Sequence, residues 1–398
     1  MSKCLIVLDH SFRLNSLLMK IAFSNYRQVS IVYPSKWYYD KKAKNLYLNN
    51  NCDFYNESIN YLSFKLNKKY GCNLHILKVE NPETVIEDFC IKNNVDHILY
   101  DLPLFSERLN FSKRVEVIEI DNDSYIPDCK KMTAKSRWMF WDRNRLKTDQ
   151  VFIECCDFNF YDSVGEKYQT NFELAKQTLS KVRNLLGQSR NIIQNYNKFR
   201  NTREGSSKLS VLLHHGLIDS RELVYLILSQ IKSPIEKESN YVPFLRQLAF
   251  REIAIEKTRQ KKISLYEDSL TLCNLLLDKN SVDNIANNEF KALFSKKDLF
   301  NHTTGIEKLD TEIRLCIKNR WMPNRARMWF AGECYWGLGG GTKSLDALIE
   351  FFNKYCDDAQ SPNNIINCVE SVRLKYGKVM KFNKERTFRL LEGKEFIK

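Results

Sequence analysis

The chain has 398 residues, of which 43% are hydrophobic and 28% are charged, a composition typical of folded globular proteins and not of disordered chains. Lysine and arginine number 62 against 48 aspartate and glutamate, so the formal net charge is +14 and favours a polyanionic partner, nucleic acid or an acidic membrane surface. No apolar run approaches the roughly 18 residues of a membrane span, and the first one, Cys4 to Leu8, is too short for a signal-peptide core. With twelve cysteines and no signal sequence, we expect a cytoplasmic protein with reduced thiols.

Five short apolar runs rich in β-branched side chains occupy the N-terminal part of the chain. Most of them are separated by segments with helical spacing, such as Thr84 to Asn93. Strands that alternate with helices predict a parallel sheet covered on both faces, so residues 1–127 are expected to form a Rossmann-like α/β domain. The stretch from Tyr38 to Asn51 breaks this pattern and is interpreted as a loop or insertion. The predicted strands are Cys4–Leu8, Val29–Tyr33, Leu74–Val79, His97–Tyr100 and Val115–Ile120.

The strand pattern ends before residue 165, and long segments with helical periodicity follow. We therefore expect residues 201–398 to form a second, all-helical domain, and residues 128–200 to form a connector that contains a helix. Pro323 begins one of these segments, where the missing N–H of proline is not needed. The periodic segments are Asn171–Phe199, Ser220–Ile231, Val242–Arg259, Leu265–Asp278, Lys308–Ile317, Pro323–Trp336 and Ser344–Lys354.

The connector combines basic and aromatic side chains, which leaves two interpretations open. Its cations could pair with nucleic-acid phosphates while the rings of Trp138 and Trp141 stack on bases. The favoured interpretation is a solvated linker whose two tryptophans anchor it between the domains. The basic residues are Lys130, Lys131, Lys135, Arg137, Arg143, Arg145 and Lys147.

Two patterns resemble a cofactor loop and a metal site, and both are better explained structurally. Gly337 to Ser344 resembles a phosphate-binding loop, but Thr342 separates the last glycine from Lys343 and the segment follows a helix. A turn between two helices is therefore predicted, and P-loop kinases and ATPases are excluded. Four C-terminal cysteines lack the close pair typical of iron–sulfur sites, and no zinc-binding histidine motif occurs, so we expect buried thiols and no metal. These cysteines are Cys316, Cys334, Cys356 and Cys368.

Several polar segments in the helical region suit a phosphate or an anionic cofactor. Ser206 to Ser210 places hydroxyl groups and a lysine ahead of a predicted helix, which suits a pyrophosphate. Leu213–Gly216 follows at once, and Phe244–Glu252 lies further on. In Trp321–Met328, an asparagine and two arginines within four residues present amide and guanidinium groups toward one edge of a ligand. Taken alone, this last pattern is equally typical of a salt-bridged surface helix.

Taken in this order, these segments resemble those of the photolyase/cryptochrome flavoproteins over about residues 203–370. Thr304–Gly305 with Asp310, and Asp357–Asn364 downstream, add two further matches in the family's order. The resemblance implies an FAD-binding helical domain preceded by an α/β antenna domain, with room for a second, antenna chromophore of unknown identity. It also implies that the cofactor, and not a side-chain nucleophile or a metal, performs the chemistry: reduced flavin absorbs blue light and donates an electron to a pyrimidine dimer.

The resemblance also implies roles for individual residues. It places Gln247, Asn324, Met328 and Asn363 at the catalytic centre, with Asn363 facing the flavin. It further implies that Arg327 pairs with Asp357 beneath the flavin ring. The implied FAD-binding set is Ser206, Ser207, Lys208, Leu209, Ser210, Arg251, Asn324, Arg327, Asp357, Asp358 and Asn363, and the implied DNA-binding set is Arg246, Phe250, Arg320 and Arg325.

Gln247 and Phe250 depart from the lesion-contacting helix of the family. Gln247 stands where the family has a glutamate, so an amide that still donates through its NH2 group replaces a carboxylate. Phe250 replaces a stacking tryptophan by another flat apolar ring. The combination of Asn363, Asn324 and Met328 resembles the pattern of the family's enzymes that act on cyclobutane dimers. The histidine pattern of the (6-4) enzymes is absent.

The tryptophan electron chain of the family is missing, because Leu299, Ser344 and Asn367 occupy its approximate positions. Trp329 and Trp336 lie seven residues apart on one helical face. They form either a substitute electron relay or two core aromatics on a buried stripe.

The sequence therefore predicts a compact, bacterial-type photolyase that uses FAD and light to split cyclobutane pyrimidine dimers. Its expected partner is UV-damaged DNA, with no membrane and no metal, and the chain is expected to be a monomer in the cytoplasm, associated with the nucleoid when bound to DNA. A cryptochrome-type light receptor without repair activity is the alternative, supported by Gln247 and the missing tryptophan chain. A basic nucleic-acid-binding protein without flavin is disfavoured by Arg251, Asn324, Arg327 and Asn363.

Overall fold

The computed structural model describes a large share of both halves of the chain. The described residues are 2–9, 16–34, 50–77, 81–104, 109–112, 114–123, 125, 132–146, 184, 187, 192–200, 202–231, 240–264, 267–287, 291–359 and 361–376. Most of the loop predicted between Tyr38 and Asn51, and most of the helix predicted from Asn171 to Phe199, lie outside these residues.

A five-stranded parallel sheet forms the N-terminal part, as the alternating pattern predicted. Its strands are β1 (Lys3–Val7), β2 (Gln28–Pro34), β3 (Leu74–Leu77), β4 (His97–Asp101) and β5 (Glu116–Ile120). The strand order is β3-β2-β1-β4-β5, a doubly wound topology. In the central strand, Leu5 lies opposite Ser30 of β2 and Ile98 of β4. The sheet therefore confirms the predicted Rossmann-like fold class.

Helices cover both faces of this sheet, because the side chains of β1 alternate between two apolar clusters. They are α1 (Leu17–Asn25), α2 (Asn50–Tyr70) and α3 (Pro82–Asn93). Ile6 packs in one cluster with residues of α1 and α2, and Leu5 packs in the other with Ile86 of α3. The N-terminus of α1 is capped by Ser16, whose Oγ accepts a hydrogen bond from the backbone N–H of Met19 at 3.3 Å.

Helices form the rest of the described chain. They are α4 (Ala134–Arg143), α5 (Tyr196–Phe199), α6 (Leu209–His214), α7 (Ser220–Ser229), α8 (Val242–Gln260), α9 (Ser269–Leu276), α10 (Lys279–Asn287), α11 (Lys296–Asn301), α12 (Glu307–Asn319), α13 (Asn324–Gly337), α14 (Gly341–Tyr355) and α15 (Pro362–Tyr376). Among the described helices, none is long and apolar enough to cross a membrane.

The glycine-rich segment after α13 is the predicted turn between two helices. α13 ends at Gly337 and α14 begins at Gly341. Gly339 and Gly340 have φ angles of 98° and 78°, in the left-handed region that favours glycine. The conformational need of a tight helix–helix turn therefore explains the glycines without a phosphate.

The connector helix α4 is part of the helical core. Trp141 is fully buried and Trp138 nearly so, in a cluster that includes Tyr61 and Phe64 of α2. Arg137 of the same helix is also buried, and its guanidinium pairs with two glutamates of α8, Glu252 and Glu256, at 3.0 and 2.8 Å. The anchoring role predicted for the two tryptophans is confirmed. The prediction of a solvated linker is wrong for α4, where Arg137 and Asp142 are buried as well, so Arg137 is not available to phosphates. The predicted boundaries at residues 127 and 200 stay predictions, since residues 126–131 and 201 lie outside the described part.

Arg259 of α8 joins the helical part to the carboxyl ends of the strands. Its guanidinium donates to the backbone oxygens of Leu102 and Pro103 at 2.9 and 2.8 Å, and to the carboxylates of Asp121 and Asp123 at 3.3 and 3.0 Å. Burial alone would lower the pKa of Arg259, but the two carboxylates raise it, so the group remains charged. This connection orients α8 relative to the sheet.

Candidate functional site

The segment that precedes α6 presents the predicted hydroxyl groups and lysine. Thr202 closes its turn by accepting a hydrogen bond from the N–H of Gly205 at 2.9 Å. Ser206, Ser207 and Lys208 are half-buried, and Lys208 has a φ of 54°, which few non-glycine residues adopt. Backbone strain of this kind clusters at functional sites, which supports the hypothesis of a ligand here.

Arg327 and Asp358 form a buried ion pair at the centre of the site. Their exposed fractions are 3% and 2%, and Nη2 of Arg327 lies 2.8 Å from Oδ1 of Asp358. Ser210 of α6 donates to the other carboxylate oxygen, Oδ2, at 2.7 Å. The pair therefore brings together α6, α13 and the segment between α14 and α15, which are far apart in sequence.

The burial of Arg327 follows from the periodicity of α13. Arg327 lies on the same buried face as Ala326, Phe330 and Cys334, so its guanidinium is directed into the protein. Burial alone would lower the pKa of Arg327, but the carboxylate of Asp358 raises it, and the net shift is upward. The guanidinium of Arg327 therefore stays charged, and the carboxylate of Asp358 balances that charge.

The predicted pairing of Arg327 with Asp357 is wrong by one residue. The backbone N–H of Asp357 donates to the carbonyl of Arg320 at 2.9 Å, and its carboxylate accepts from Nε of Arg320 at 2.8 Å. Nε2 of His215 lies 2.8 Å from the carbonyl oxygen of Asp357. Because Asp357 is held at all three of its polar groups, the chain turns so that Asp358 faces Arg327.

This arrangement also changes the interpretation of Arg320, which the sequence assigned to DNA binding. Its guanidinium is bonded to Asp357, and its backbone has a φ of 52° at the end of α12. Arg320 therefore holds the segment that contains Asp357 and Asp358. The sequence showed both residues but not their partnership, because a charged surface pair and a DNA contact use the same residue types.

Arg251 lies where the sheet meets the helical part. Its Nη2 donates to Oδ1 of Asp123, which follows β5, at 3.2 Å and to the carbonyl of Leu213, in α6, at 3.1 Å. The position beside α6 is compatible with its predicted place next to a flavin, and the contact with Asp123 adds a structural role that the sequence did not reveal.

The exposed face of α8 presents the residues predicted to contact DNA. Arg246 is exposed, Gln247 is half-buried, and the ring of Phe250 is 47% exposed. Arg246 and Phe250 are four residues apart and therefore lie on the same face. Lys257, a further two turns along, lies 3.9 Å from Glu370 of α15, so this face borders that helix. An exposed aromatic beside an arginine suits a stacking platform next to a phosphate contact.

Three asparagines lie at the adjoining ends of α13 and α15. Asn324 is exposed at the first position of α13, directly after Pro323, and Asn363 is half-buried near the start of α15. Asn367, one turn after Asn363, donates from Nδ2 to Oδ1 of Asn324 at 3.3 Å. Met328 and Arg325, both half-buried, follow Asn324 on α13. The sequence placed Asn324, Met328 and Asn363 together but missed the contact made by Asn367.

Trp329 and Trp336 both lie on α13. Trp329 is buried, and Trp336 packs partly buried against the same apolar cluster. This placement fits the interpretation of two core aromatics, and the electron relay stays a prediction.

An ion pair between Arg203 and Glu312 is a further feature that sequence reasoning missed. Arg203 begins the segment of the serines, and Glu312 of α12 is 1% exposed. Glu312 lies on the buried side of its helix, three residues after Leu309 and four before Cys316. A carboxylate at an apolar position of the helical period was the signal that could have revealed it.

The donors of the site fit an anionic, acceptor-rich cofactor such as FAD. Within the described ranges, Nε of Arg327 and Nη1 of Arg251 are buried and have no hydrogen-bond partner. Buried donors of this kind normally have an acceptor, so a bound ligand is a natural explanation. The half-buried serines and Lys208 supply donors suited to phosphate oxygens.

The described cysteines do not form a metal site. Cys316, Cys334, Cys356 and Cys368 are buried free thiols, as predicted, and Sγ of Cys316 lies 3.3 Å from Sγ of Cys356. The hydrogen bond to Cys356 and burial raise the pKa of Cys316 well above its ordinary value. In the described part of the chain, no group of three or more histidine, cysteine or acidic side chains is arranged to hold a metal ion.

Solved structures of photolyases and a cryptochrome share this fold. A bacterial class III photolyase from Agrobacterium tumefaciens is 16% identical, with a TM-score of 0.65 over 99% of this chain and 85% of that chain. A cryptochrome from Synechocystis sp. PCC6803 is 14% identical, with a TM-score of 0.66 over 99% and 87%. An archaeal photolyase from Sulfolobus tokodaii, described with two FAD molecules, is 15% identical, with a TM-score of 0.58 over 97% and 87%.

These comparisons establish the fold. No protein-family model and no curated protein matches the sequence. The chain therefore has the photolyase/cryptochrome fold, which confirms the resemblance at that level, and it reaches this fold with a sequence that differs from its structural neighbours at about five positions in six.

Proposed function

We propose that this chain is a light-dependent DNA-repair enzyme, a photolyase that holds FAD at the Arg327–Asp358 site and splits cyclobutane pyrimidine dimers. The observation that supports the proposal most is the buried ion pair itself, to which Ser210 adds a third segment. A buried ion pair is weak evidence for stability, because desolvation offsets its attraction. A ligand-binding role explains why it lies here with a guanidinium nitrogen of Arg327 still unbonded.

When bound, FAD supplies the chemistry by absorbing blue light and transferring an electron to the dimer. The residues of the chain bind and orient it. Ser206, Ser207 and Lys208 bind the pyrophosphate, because hydroxyl and ammonium groups donate to phosphate oxygens. Arg327 and Arg251 would donate to acceptors of the flavin ring, and hydrogen-bond donors at these acceptors favour a reduced, anionic ring. Asn363, which is half-buried near the start of α15, would contact the same ring.

The exposed face of α8 and the start of α13 receive the damaged DNA. Arg246 and Arg325 pair with phosphates, and the net charge of +14 adds a general attraction for DNA. Phe250 stacks on a base, while Gln247, Asn324 and Met328 contact the dimer. A dimer must leave the helix to reach this place, and a damaged step is easier to extrude than a normal one.

The proposal extends to the rest of the molecule. Residues 1–127 form an antenna domain with space for a second chromophore, residues 128–200 connect it, and residues 201–398 form the catalytic domain. The protein acts as a monomer in the cytoplasm and associates with the nucleoid through DNA. The description of the Sulfolobus tokodaii photolyase with two FAD molecules supports the search for a second chromophore in this chain.

A cryptochrome-type light receptor is the second candidate, because Gln247 replaces the family's lesion-contacting glutamate. The similarity to the Synechocystis cryptochrome is compatible with it. The variant Gln247→Glu separates the two candidates. In a photolyase it should preserve or increase the dimer repair seen with the unmodified protein, since a carboxylate accepts a hydrogen bond from the dimer. In a receptor without a lesion site, neither the unmodified protein nor the variant should repair dimers.

The decisive experiment illuminates the flavin-loaded, fully reduced full-length protein with DNA that contains cyclobutane dimers. We expect dimers to disappear and intact pyrimidines to return only in the light, with (6-4) lesions unchanged, as measured by chromatography of the digested DNA. Protein kept in the dark, and the variant Arg327→Ala, serve as controls. If the reduced protein repairs dimers in neither single- nor double-stranded DNA, the proposal is contradicted and the receptor function is favoured.

A further inference from the structure

Asn324 and Asn367 form a hydrogen-bonded pair of amides between α13 and α15, three residues before Arg327 on α13. The bond runs from Nδ2 of Asn367 to Oδ1 of Asn324 at 3.3 Å and links α15 to the first residue of α13. In the described part of the chain, this is the one hydrogen bond recorded for the side chain of Asn324. Asn367 lies on the same face of α15 as Asn363, four residues earlier.

The direction of this bond decides which group of Asn324 remains available. An asparagine side chain has an acceptor oxygen and a donor NH2 group, and its amide can turn to exchange them. In the recorded orientation Nδ2 of Asn367 donates to the oxygen of Asn324, which leaves the NH2 group of Asn324 to donate to a ligand. Without Asn367, the exposed amide of Asn324 has no recorded bond that selects one of its two orientations.

We propose that Asn367 is a positioning residue that fixes Asn324 as a hydrogen-bond donor toward carbonyl oxygens of a damaged base. The inference rests on the proposed function, in which Asn324 contacts the dimer. It gives Asn367 a role in lesion recognition through another residue, without contact of its own with DNA. The backbone of Asn367 is itself bonded to Ser371, whose hydroxyl donates to its carbonyl, so this turn of α15 is well defined.

The test is a double-mutant cycle on the full-length, flavin-loaded protein. Asn367→Leu removes the donor at similar size, Asn324→Ala removes the group it positions, and the double variant combines them. Affinity is measured in the dark for two DNA duplexes of the same sequence, with and without a cyclobutane dimer. The ratio of the two affinities cancels contacts with phosphates and any general loss of active protein.

We expect Asn367→Leu to reduce this ratio about three- to tenfold, the effect of one hydrogen bond. In the Asn324→Ala background, the same change should have no further effect, because the two residues act as a unit. Asn367→His should restore most of the ratio at a pH at which the imidazole is protonated, since Nδ1–H then donates from the same number of bonds from Cβ as the amide nitrogen. Asn367→Ala provides a second donor-free variant if the leucine variant folds poorly.

Three results would overturn the inference. An unchanged ratio in both donor-free variants would show that Asn367 does not orient Asn324. If Asn367→Leu reduces the affinity ratio equally in the presence and in the absence of Asn324, Asn367 does not act through Asn324. If the unmodified protein itself does not prefer dimer-containing DNA, the proposed function fails and the inference fails with it, a result clearly distinct from the first two.

Discussion

The guanidinium of Arg327 donates to the carboxylate of Asp358, with Nη2 and Oδ1 2.8 Å apart, although the adjacent Asp357 offers the same chemical group. Asp357 is engaged by Arg320 and by His215, which leaves Asp358 to face the interior. The two aspartates thus have different tasks. Asp358 supplies the charge opposite Arg327, and Asp357 holds the segment in place.

This difference predicts unequal effects of two conservative changes. Asp358→Asn leaves the buried charge of Arg327 without its partner, which typically costs about 3–5 kcal/mol. We expect that variant to lose most of its flavin, as measured by the absorbance ratio of flavin to protein. Asp357→Asn should lose less, because its backbone contacts with Arg320 and His215 remain. A greater flavin loss in Asp357→Asn than in Asp358→Asn would instead support the pairing of Arg327 with Asp357 that the sequence suggested.

Replacement of Arg320 should change flavin retention, whereas replacement of Arg246 should change DNA binding. Arg320→Ala removes the side-chain support of Asp357, so it should weaken flavin retention and leave the salt dependence of DNA binding largely unchanged. Arg246→Ala should leave flavin content unchanged and reduce the slope of log affinity against log salt by about 0.7–0.9, the contribution of one phosphate contact. Titrations of both variants over a range of salt concentrations check this, and a reduced slope for Arg320→Ala would return Arg320 to the DNA-binding set.

The two tryptophans of α13 can be tested by photoreduction. If Trp329 and Trp336 relay electrons, Trp329→Phe and Trp336→Phe should each slow light-driven reduction of the flavin while flavin content stays the same. Repair by chemically reduced protein should be unchanged, because it does not need the relay. Normal photoreduction in both variants would identify them as core aromatics and would leave Tyr335 of α13 and Tyr355 at the end of α14 as the next candidates for the relay.

Glu252 should make the stability of the protein depend on pH. Burial raises its pKa from 4.5 to about 8, although the N–H of Tyr125 and the guanidinium of Arg137 oppose the shift. Between these two pKa values the folded state binds a proton that the unfolded state releases, so the contribution of Glu252 to stability is full below about pH 4.5 and is lost as the pH rises through 8. Glu252→Gln replaces the titrating carboxyl group by an amide. The midpoint of thermal unfolding should therefore depend less on pH between pH 5 and 8 in this variant. A pH profile that is the same in both proteins would show that Glu252 is ionised throughout.

The organisation of the chain was readable from the sequence because it depends on local periodicity. Short apolar runs such as His97–Tyr100 that are separated by helices form a parallel sheet covered on both faces, and each predicted strand is present. The glycine turn after Gly337 likewise follows from the conformation that glycine allows, whereas the helix predicted to begin after Ser210 already begins at Leu209. The order of polar segments between residues 203 and 370 added the resemblance, which the shared fold supports.

The partnerships within the site were decided by the tertiary structure. Two adjacent aspartates are equivalent in sequence, and the contacts of Asp357 with Arg320 and His215 determine which of the two turns toward Arg327. Asn367 likewise contacts Asn324, 43 residues earlier, only because α13 and α15 pack together. Side-chain direction at the end of a helix depends on backbone contacts between distant segments, and those contacts exist only after the chain has folded.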